Sequence, residues 1–263
     1  MRLTVVGCSG SFAGPDSAAS SYLVQADDAE GRTWNLVLDL GSGALGPLQR
    51  YVALEDIDAI GISHLHPDHM ADISGLFVYL RYAPRPLTKR HVAVHGPFGT
   101  LSRIAEAHGT QPGETLTDHL HVHAWQPGHP VIVGPMSVLP IAVEHPVPAY
   151  GVRITGPSEQ DAGRAVTLAF TGDTDACPGL EELAQGVDVL LAEAAFVEGR
   201  DDHIMGIHLT GRRAGEAAER GGCGRLVITH VPPWNDQDVA LVEAREVFSG
   251  PVERAVPGLV VQL

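Results

Sequence analysis

Cysteine is scarce in this chain: Cys8, Cys177 and Cys223 are the whole complement. Three scattered thiols exclude a disulfide framework and a cysteine-rich zinc site, and they point to a reducing, cytoplasmic setting. Long apolar runs are lacking too. The best of them, residues 187–195, is interrupted by acids and falls well short of the roughly 20 residues that cross a bilayer. The opening Met1-Arg2-Leu3-Thr4-Val5-Val6-Gly7 reads as a β-strand, not as a basic stretch leading into an apolar one. No secretion signal and no membrane partner are therefore expected. Basic residues are outnumbered, 17 Lys and Arg against 32 Asp and Glu, for a formal net charge of −15. A field of that sign repels polyanions and disfavours generic nucleic-acid binding. One local exception is Arg81, Arg85, Lys89 and Arg90 in a proline-rich loop, read either as a solvated loop or as a contact for phosphate. No short repeat, low-complexity tract or dividing linker interrupts the 263 residues, so one domain spanning 1–263 is expected.

Short strands joined by glycine-rich turns fill the first half, at 3–6, 21–25, 34–38 and 59–63. Helical spacing covers 72–82, and strands recur at 91–94, 119–124, 131–133, 136–140 and 150–154. A second series places strands at 165–170, 187–192, 225–229 and 258–262, with helices at 179–184, 211–220 and 237–248. Two strand clusters, each with its own helices, predict two sheets packed face to face with helices outside.

Fourteen histidines are present, and their placement is informative. Ser63-His64-Leu65-His66-Pro67-Asp68-His69 sets three imidazoles and a carboxylate at a strand-to-helix junction. Imidazole nitrogen and carboxylate oxygen are the ligands that Zn²⁺ and similar ions prefer. His64 and His66 are two apart and face one side of an extended segment. Asp68 and His69 follow the Pro67 turn and aim at a neighbouring point, so two adjacent ions use the four residues better than one.

This motif resembles the His-x-His-x-Asp-His signature of the metallo-β-lactamase superfamily. The resemblance implies an α/β fold, a four-layer αβ/βα sandwich with metals at one edge of the two sheets. It also implies three later ligands, a His, a bridging Asp and a final His. His145 in Val143-Glu144-His145-Pro146, Asp173 in Phe170-Thr171-Gly172-Asp173 and His230 after Leu226-Val227-Ile228-Thr229 match in order, each where an apolar stretch runs out. The implied cofactors are two divalent ions, zinc first with Mn²⁺ or Fe²⁺ as alternatives. One takes His64, His66 and His145, the other Asp68, His69 and His230, with Asp173 between them. Paired ions neutralise charge developing on a phosphoryl group, and Asp68 would also orient the attacking water.

Gly206-Ile207-His208-Leu209-Thr210, an alanine-rich helix and Thr229-His230 resemble the ribonuclease Z branch. The resemblance makes His208 the general acid and Glu193, in Leu191-Ala192-Glu193-Ala194-Ala195, its supporting carboxylate. Ala192 and Ala195 replace a histidine and a threonine of that motif, which is therefore half kept. Ribonuclease Z carries a long tRNA-gripping arm between the third histidine ligand and the bridging aspartate. Residues 146–172 are too few for it, so tRNA is not an expected partner. The whole chain is similar to arm-less actinobacterial proteins proposed to be cyclic-nucleotide phosphodiesterases. The matching stretches are Val6-Gly7-Cys8-Ser9-Gly10-Ser11, Gly14-Pro15-Asp16-Ser17, Gly75-Leu76-Phe77-Val78 with Arg81-Tyr82, and Thr229-His230-Val231-Pro232-Pro233-Trp234. A small phosphodiester such as a 3′,5′-cyclic nucleotide is the expected substrate, and relatives of this kind are often homodimers. The alternatives are a ribonuclease Z-like nuclease on short or single-stranded RNA and, from another class, a nucleotide-binding protein without turnover. Thioester and β-lactam hydrolysis fit less well. Among the remaining histidines, His119, His121 and His123 share one strand face and are read as solvent-facing, His129 stands outside the site, and His91, His95, His108 and His203 carry no spacing argument.

Overall fold

The computed structural model describes residues 1–84, 86–87, 89–110 and 116–263. The strands of the first half are β1 (Arg2–Ser9), β2 (Ala18–Ala19), β3 (Ser21–Asp27), β4 (Thr33–Leu38), β5 (Ala59–Gly61), β6 (Val92–Gly96) and β7 (Leu120–Ala124). Those of the second are β8 (Val131–Val133), β9 (Met136–Val143), β10 (Ala149–Pro157), β11 (Ala165–Phe170), β12 (Val189–Glu193), β13 (Leu226–Thr229), β14 (Val252–Arg254) and β15 (Val260–Gln262). Helices α1 (Leu45–Leu48), α2 (Pro67–Met70), α3 (Ile73–Tyr82) and α4 (Thr100–His108) belong to the first half. Helices α5 (Pro178–Ala184), α6 (Gly211–Gly221) and α7 (Val239–Arg245) belong to the second.

One sheet runs β15-β1-β3-β4-β5-β6-β7 with β2 beside β1, and the other runs β14-β13-β12-β11-β10-β9-β8. Between them lies an apolar layer built from residues such as Leu3, Tyr22, Leu36, Phe170, Leu191 and Val227. A second core joins the first sheet to α1, α3 and α4, and a third joins the other sheet to α5, α6 and α7. The result is the expected four-layer αβ/βα sandwich. Strands that are buried on both faces explain why β1, β12 and β13 read as nearly continuous apolar runs.

Parallel pairing decides where the chemistry sits. β4 and β5 are parallel neighbours, as are β11, β12 and β13. Within each sheet the carboxyl ends lie together, and contacts of His69 with Asp173 and His230 bring both sets to one edge, which is where α/β sheets present ligands. Across the core, the Tyr22 hydroxyl meets Thr229 Oγ1 at 2.7 Å, and the Tyr22 and Phe170 rings pack 5.1 Å apart. That contact ties the two sheets together one residue before His230.

The helix α6 shows why its sequence stops and starts where it does. Thr210 caps it by accepting from the Arg213 amide, and Gly222 ends it in the left-handed region. Several short elements were not expected from sequence. Helices α1 and α2 are single turns, β2 and β14 are two and three residues long, and α4 starts after a left-handed Gly99 without a side-chain cap. The expected strand 59–63 ends at Gly61, and the expected helix 237–248 spans Val239–Arg245. Residues 146–172 are largely the antiparallel β10–β11 pair, in register from Val152↔Phe170 to Pro157↔Ala165.

Replacing Tyr22 by Phe removes the buried hydroxyl and leaves Thr229 Oγ1 without that partner. A loss of about 1–3 kcal/mol of unfolding free energy with the fold retained is expected, read by urea titration. A variant as stable as the parent would show that the tie carries no weight.

Candidate metal centre

His64 and His66 lie beyond the end of β5, and His66 precedes the single turn α2, which carries Asp68 and His69. His145 follows β9, Asp173 follows β11 through a left-handed Gly172, Glu193 ends β12, and His230 follows β13. All eight of the predicted ligand and Glu193 positions thus sit at strand ends or in the turn behind one. His208 stands just ahead of α6. Asp39, His64, His69 and Glu193 are fully buried, Asp68, Asp173 and His230 nearly so, and His66, His145 and His208 are half-buried.

The side chains form two groups. In the first, His64 Nε2 lies 2.9 Å from His66 Nδ1, which lies 3.3 Å from His145 Nε2. In the second, His69 Nε2 lies 3.1 Å from His230 Nε2, with Asp68 Oδ2 3.3 Å from the latter. Asp173 stands between them, with Oδ2 3.7 Å from His64 Nε2 and Oδ1 3.3 Å from His69 Nε2. Within each group the potential ligand atoms lie within 4.8 Å of one another.

Hydrogen bonds on the outer nitrogens decide which inner nitrogens carry lone pairs. His145 Nδ1 donates to the Ile207 carbonyl at 2.9 Å, so Nε2 of the neutral ring is bare. His69 Nδ1 donates to Asp39 Oδ2 at 2.7 Å, so Nε2 is the nitrogen left bare once that ring is neutral. Ser63 Oγ donates to Asp39 Oδ2 at 2.9 Å and so accepts from His64 Nδ1 at 3.2 Å, leaving His64 Nε2 bare. Bare nitrogens that converge this closely repel unless positive charge lies among them. Asp173 Oδ1 is buried without a hydrogen-bond partner, as a carboxylate oxygen kept for a cation would be. The donor set therefore suits divalent metal, and the cluster is able to hold metal ions.

Proton affinities follow the same division. Burial, reinforced by neighbouring imidazoles, holds His64, His66 and His145 below the usual histidine range, so they are neutral. Burial also disfavours charged His69, but the Asp173 and Asp39 carboxylates outweigh it and push its affinity for a proton well up. For Asp68 and Asp173 burial opposes ionisation, yet the surrounding imidazoles prevail and both stay ionised. Burial lowers the proton affinity of His208 as well. Glu193, 2.8 Å from Nδ1, overrides this and raises it to about 9. Glu193 is itself held by the amides of Thr174 and Ala195 at 2.9 and 3.0 Å.

Two supports escaped the sequence reading. Asp39 accepts from His69, from the Ser63 amide at 2.7 Å and from Ser63 and Ser20 hydroxyls at 2.9 and 3.2 Å. Its φ of 55° places a non-glycine residue in the left-handed region, as does the 57° of His230. The signal was an acid between two leucines at a strand end, ahead of a glycine. Asp175 fixes the His208 loop by accepting from the Gly206 amide at 2.7 Å and pairing with Arg213 at 3.1 Å.

The basic loop does not gather at the site as a phosphate contact. Arg90 donates to the carbonyls of Leu80 and Ala83, Lys89 donates to the Ile57 carbonyl and pairs with Asp58, and Arg81 lies over Phe77 and Tyr82. Arg85 lies outside the described residues. His121 and His123 are exposed as expected, stacked on His91 and His95, whereas His119 is half-buried and donates through Nδ1 to the Arg90 carbonyl. His203 is exposed.

A family model described as a β-lactamase superfamily domain matches residues 35–231. The chain belongs to the metallo-β-lactamase superfamily. It is 42% identical over 259 residues to the uncharacterized protein Rv1339 of Mycobacterium tuberculosis, covering 97% of this chain and 90% of the other. It is 31% identical to the probable metallo-hydrolase YhfI of Bacillus subtilis over 99% of both chains. The crystal structure of YhfI, described as a metallo-β-lactamase fold protein, matches with a TM-score of 0.83 over 99% of both chains at 29% identity. A ribonuclease Z of Myxococcus xanthus is 30% identical, covering 87% of this chain and 88% of its own. Family, fold and buried cluster together place the chain among metal-dependent hydrolases of this superfamily.

Asp39→Asn should weaken metal binding by about 10–100-fold, the usual effect of losing a carboxylate behind a ligating imidazole. Titration of the apo protein with Zn²⁺ measures it, and unchanged affinity would remove Asp39 from the site. Stripping metal by chelation should cost about 3–4 kcal/mol of stability if metal is present at a hundred to a thousand times its Kd, seen as a lower Tm.

Proposed function

We propose that the chain is a two-metal phosphodiesterase acting on a small phosphodiester, first of all a 3′,5′-cyclic nucleotide, with cyclic AMP converted to 5′-AMP. In this reading His64, His66 and His145 hold one ion, Asp68, His69 and His230 the other, and Asp173 both. The ions when bound would activate water and neutralise phosphoryl charge.

One observation carries the reading: half-buried His208 paired with fully buried Glu193, the imidazole Nδ1 lying 3.9 Å from Asp173 Oδ2 at the rim of the cluster. Alkoxide is a poor leaving group and requires a proton donor as the ester P–O bond breaks. Glu193 fixes the His208 tautomer by accepting from Nδ1 and keeps the ring protonated at neutral pH. Nε2–H then donates to the departing ribose oxygen while water oxygen bonds to phosphorus. Asp68 accepts a hydrogen bond from that water, its lost proton passes to solvent, and solvent later reprotonates His208. The net charge of −15 and the short hairpin that fills 146–172 favour a small substrate over tRNA. The Myxococcus xanthus relative, a ribonuclease Z, keeps a second reading in play, a nuclease on short or single-stranded RNA.

The deciding assay is hydrolysis of 3′,5′-cyclic AMP before chelation, after it, and after metal is restored. Chelator-sensitive formation of 5′-AMP supports the proposal. Cleavage of RNA alone, steeply salt-dependent, moves the activity to the second reading. His208→Ala should lower kcat by about 10²–10⁴-fold while metal content is kept. Metal loss in this variant would make His208 a ligand instead. An acid must be protonated, so kcat falls as pH rises through the His208 pKa. Glu193→Gln removes the charge that raises that pKa and should shift the alkaline limb to lower pH, an effect that simple misfolding would not give.

A further inference from the structure

Aromatic residues are few, 6 Phe, 3 Trp and 5 Tyr, and most of the large ones are spent on the cores. Among the described residues, two pairs of Phe, Tyr or Trp rings pack together. Tyr22–Phe170 is core. Phe12–Trp234 is not: the rings are 48% and 62% exposed, 5.3 Å apart and tilted by 43°.

Backbone contacts put this pair beside the metal centre. Ser9 bridges to Val231, the Gly10 amide donates to the Val231 carbonyl at 3.2 Å, and a Cβ on Gly10 would fall 2.2 Å from the His230 carbonyl oxygen. Phe12 follows Gly10 by two residues and Trp234 follows His230 by four, spans of at most about 7 and 14 Å. Both backbones are pinned. Ser9 Oγ donates to the Phe12 carbonyl at 2.7 Å, and Asn235 is fixed between the Ala195 carbonyl and Arg200 at 2.9 Å each. The protein thus holds two apolar ring faces in water, on rigid supports, within a nucleotide's reach of the cluster.

We propose that Phe12 and Trp234 form the shelf on which the substrate's nucleobase stacks while its phosphodiester sits at the metals. This rests on the phosphodiester reading of the same site. Every base offers a π-face, so the shelf suits a cyclic nucleotide and an unpaired RNA base alike. It selects nucleotides over phosphodiesters without a base.

The test compares the metal-loaded parent with Trp234→Ala, Trp234→Phe and Phe12→Ala on three probes: cyclic AMP, the 3′,5′-cyclic phosphate of a ribose without a base, and a short unpaired RNA. Kinetics give KM and kcat, and quenching of tryptophan fluorescence gives binding without turnover. Trp234→Ala should weaken the base-bearing probe by about 5- to 150-fold, with Trp234→Phe close to the parent and the abasic probe unaffected. Cyclic AMP and RNA tell the two sources of the base apart. Equal loss on base-bearing and abasic probes overturns the shelf, as does an absence of quenching by either nucleotide, or a change of oligomeric state in Trp234→Ala with nucleotide affinity intact. Base-dependent binding lost in Trp234→Ala, with no hydrolysis of any phosphodiester by the parent, would uphold the shelf and refute the hydrolase reading.

Discussion

The bond from His69 Nδ1 to Asp39 holds the centre in its working arrangement. Asp39 sits where β4 ends, and its carboxylate reaches the loop after β5 through Ser63 as well as the α2 turn through His69. Two parallel strands are thereby clasped at their carboxyl ends, and the orientation of a deeply buried imidazole is set by a group with no alternative partner in water. The backbone follows the same logic. The Leu40 amide donates to the His69 carbonyl, and Gly41 packs so closely on Asp68 that a Cβ would fall 1.8 Å from its carbonyl oxygen. The left-handed φ of Asp39 is the conformational cost of turning the chain sharply enough to make these contacts.

From that clasp follows an unusual charge balance. Asp39, Asp68, Asp173 and Glu193 are all buried, and a buried carboxylate is tolerated only where donors or positive charge answer it. Glu193 is answered by two amides and His208, and Asp39 by Ser63, Ser20 and His69. Asp173 keeps a fully buried oxygen without a hydrogen-bond partner, between two groups of imidazoles. Without metal, a proton on His69 supplies positive charge there. Binding divalent ions would exchange that proton for a larger positive charge at the same point.

Most of this was legible in the sequence because the His-x-His-x-Asp-His resemblance implies where proposed ligands fall, each after an apolar stretch, and a strand that must be buried on both faces announces itself. The turns 64–69, 173 and 230 could be read in that way, and so could the sandwich. Asp39 was harder to read, since an acid between Leu38 and Leu40 marks a buried carboxylate at a strand end but not the three separate segments that converge on it. Helix α4 was missed because it buries only Thr100, Ile104 and Ala105, with Leu101 partly buried beside them. Arg81, Lys89 and Arg90 stayed open between a solvated loop and a phosphate contact for a different reason. Charge in sequence does not reveal that Arg90 will be spent on capping the carbonyls at the end of α3.

His145 and His208 are coupled through one short segment, which has consequences for how such a site is kept in order. The carbonyl of Ile207 accepts from His145 Nδ1, and the next residue presents its imidazole to Glu193. The preceding Gly206 is held by Asp175, which Arg213 of α6 also grips. A shift of residues 206–208 would therefore disturb a proposed metal ligand and the proposed acid together, while the rigid strand ends carrying the other groups stayed in place. Rigidity is placed where several ligands must converge. The loop is instead held by side chains, Asp175, His145 and Glu193, so its order depends on those contacts being kept.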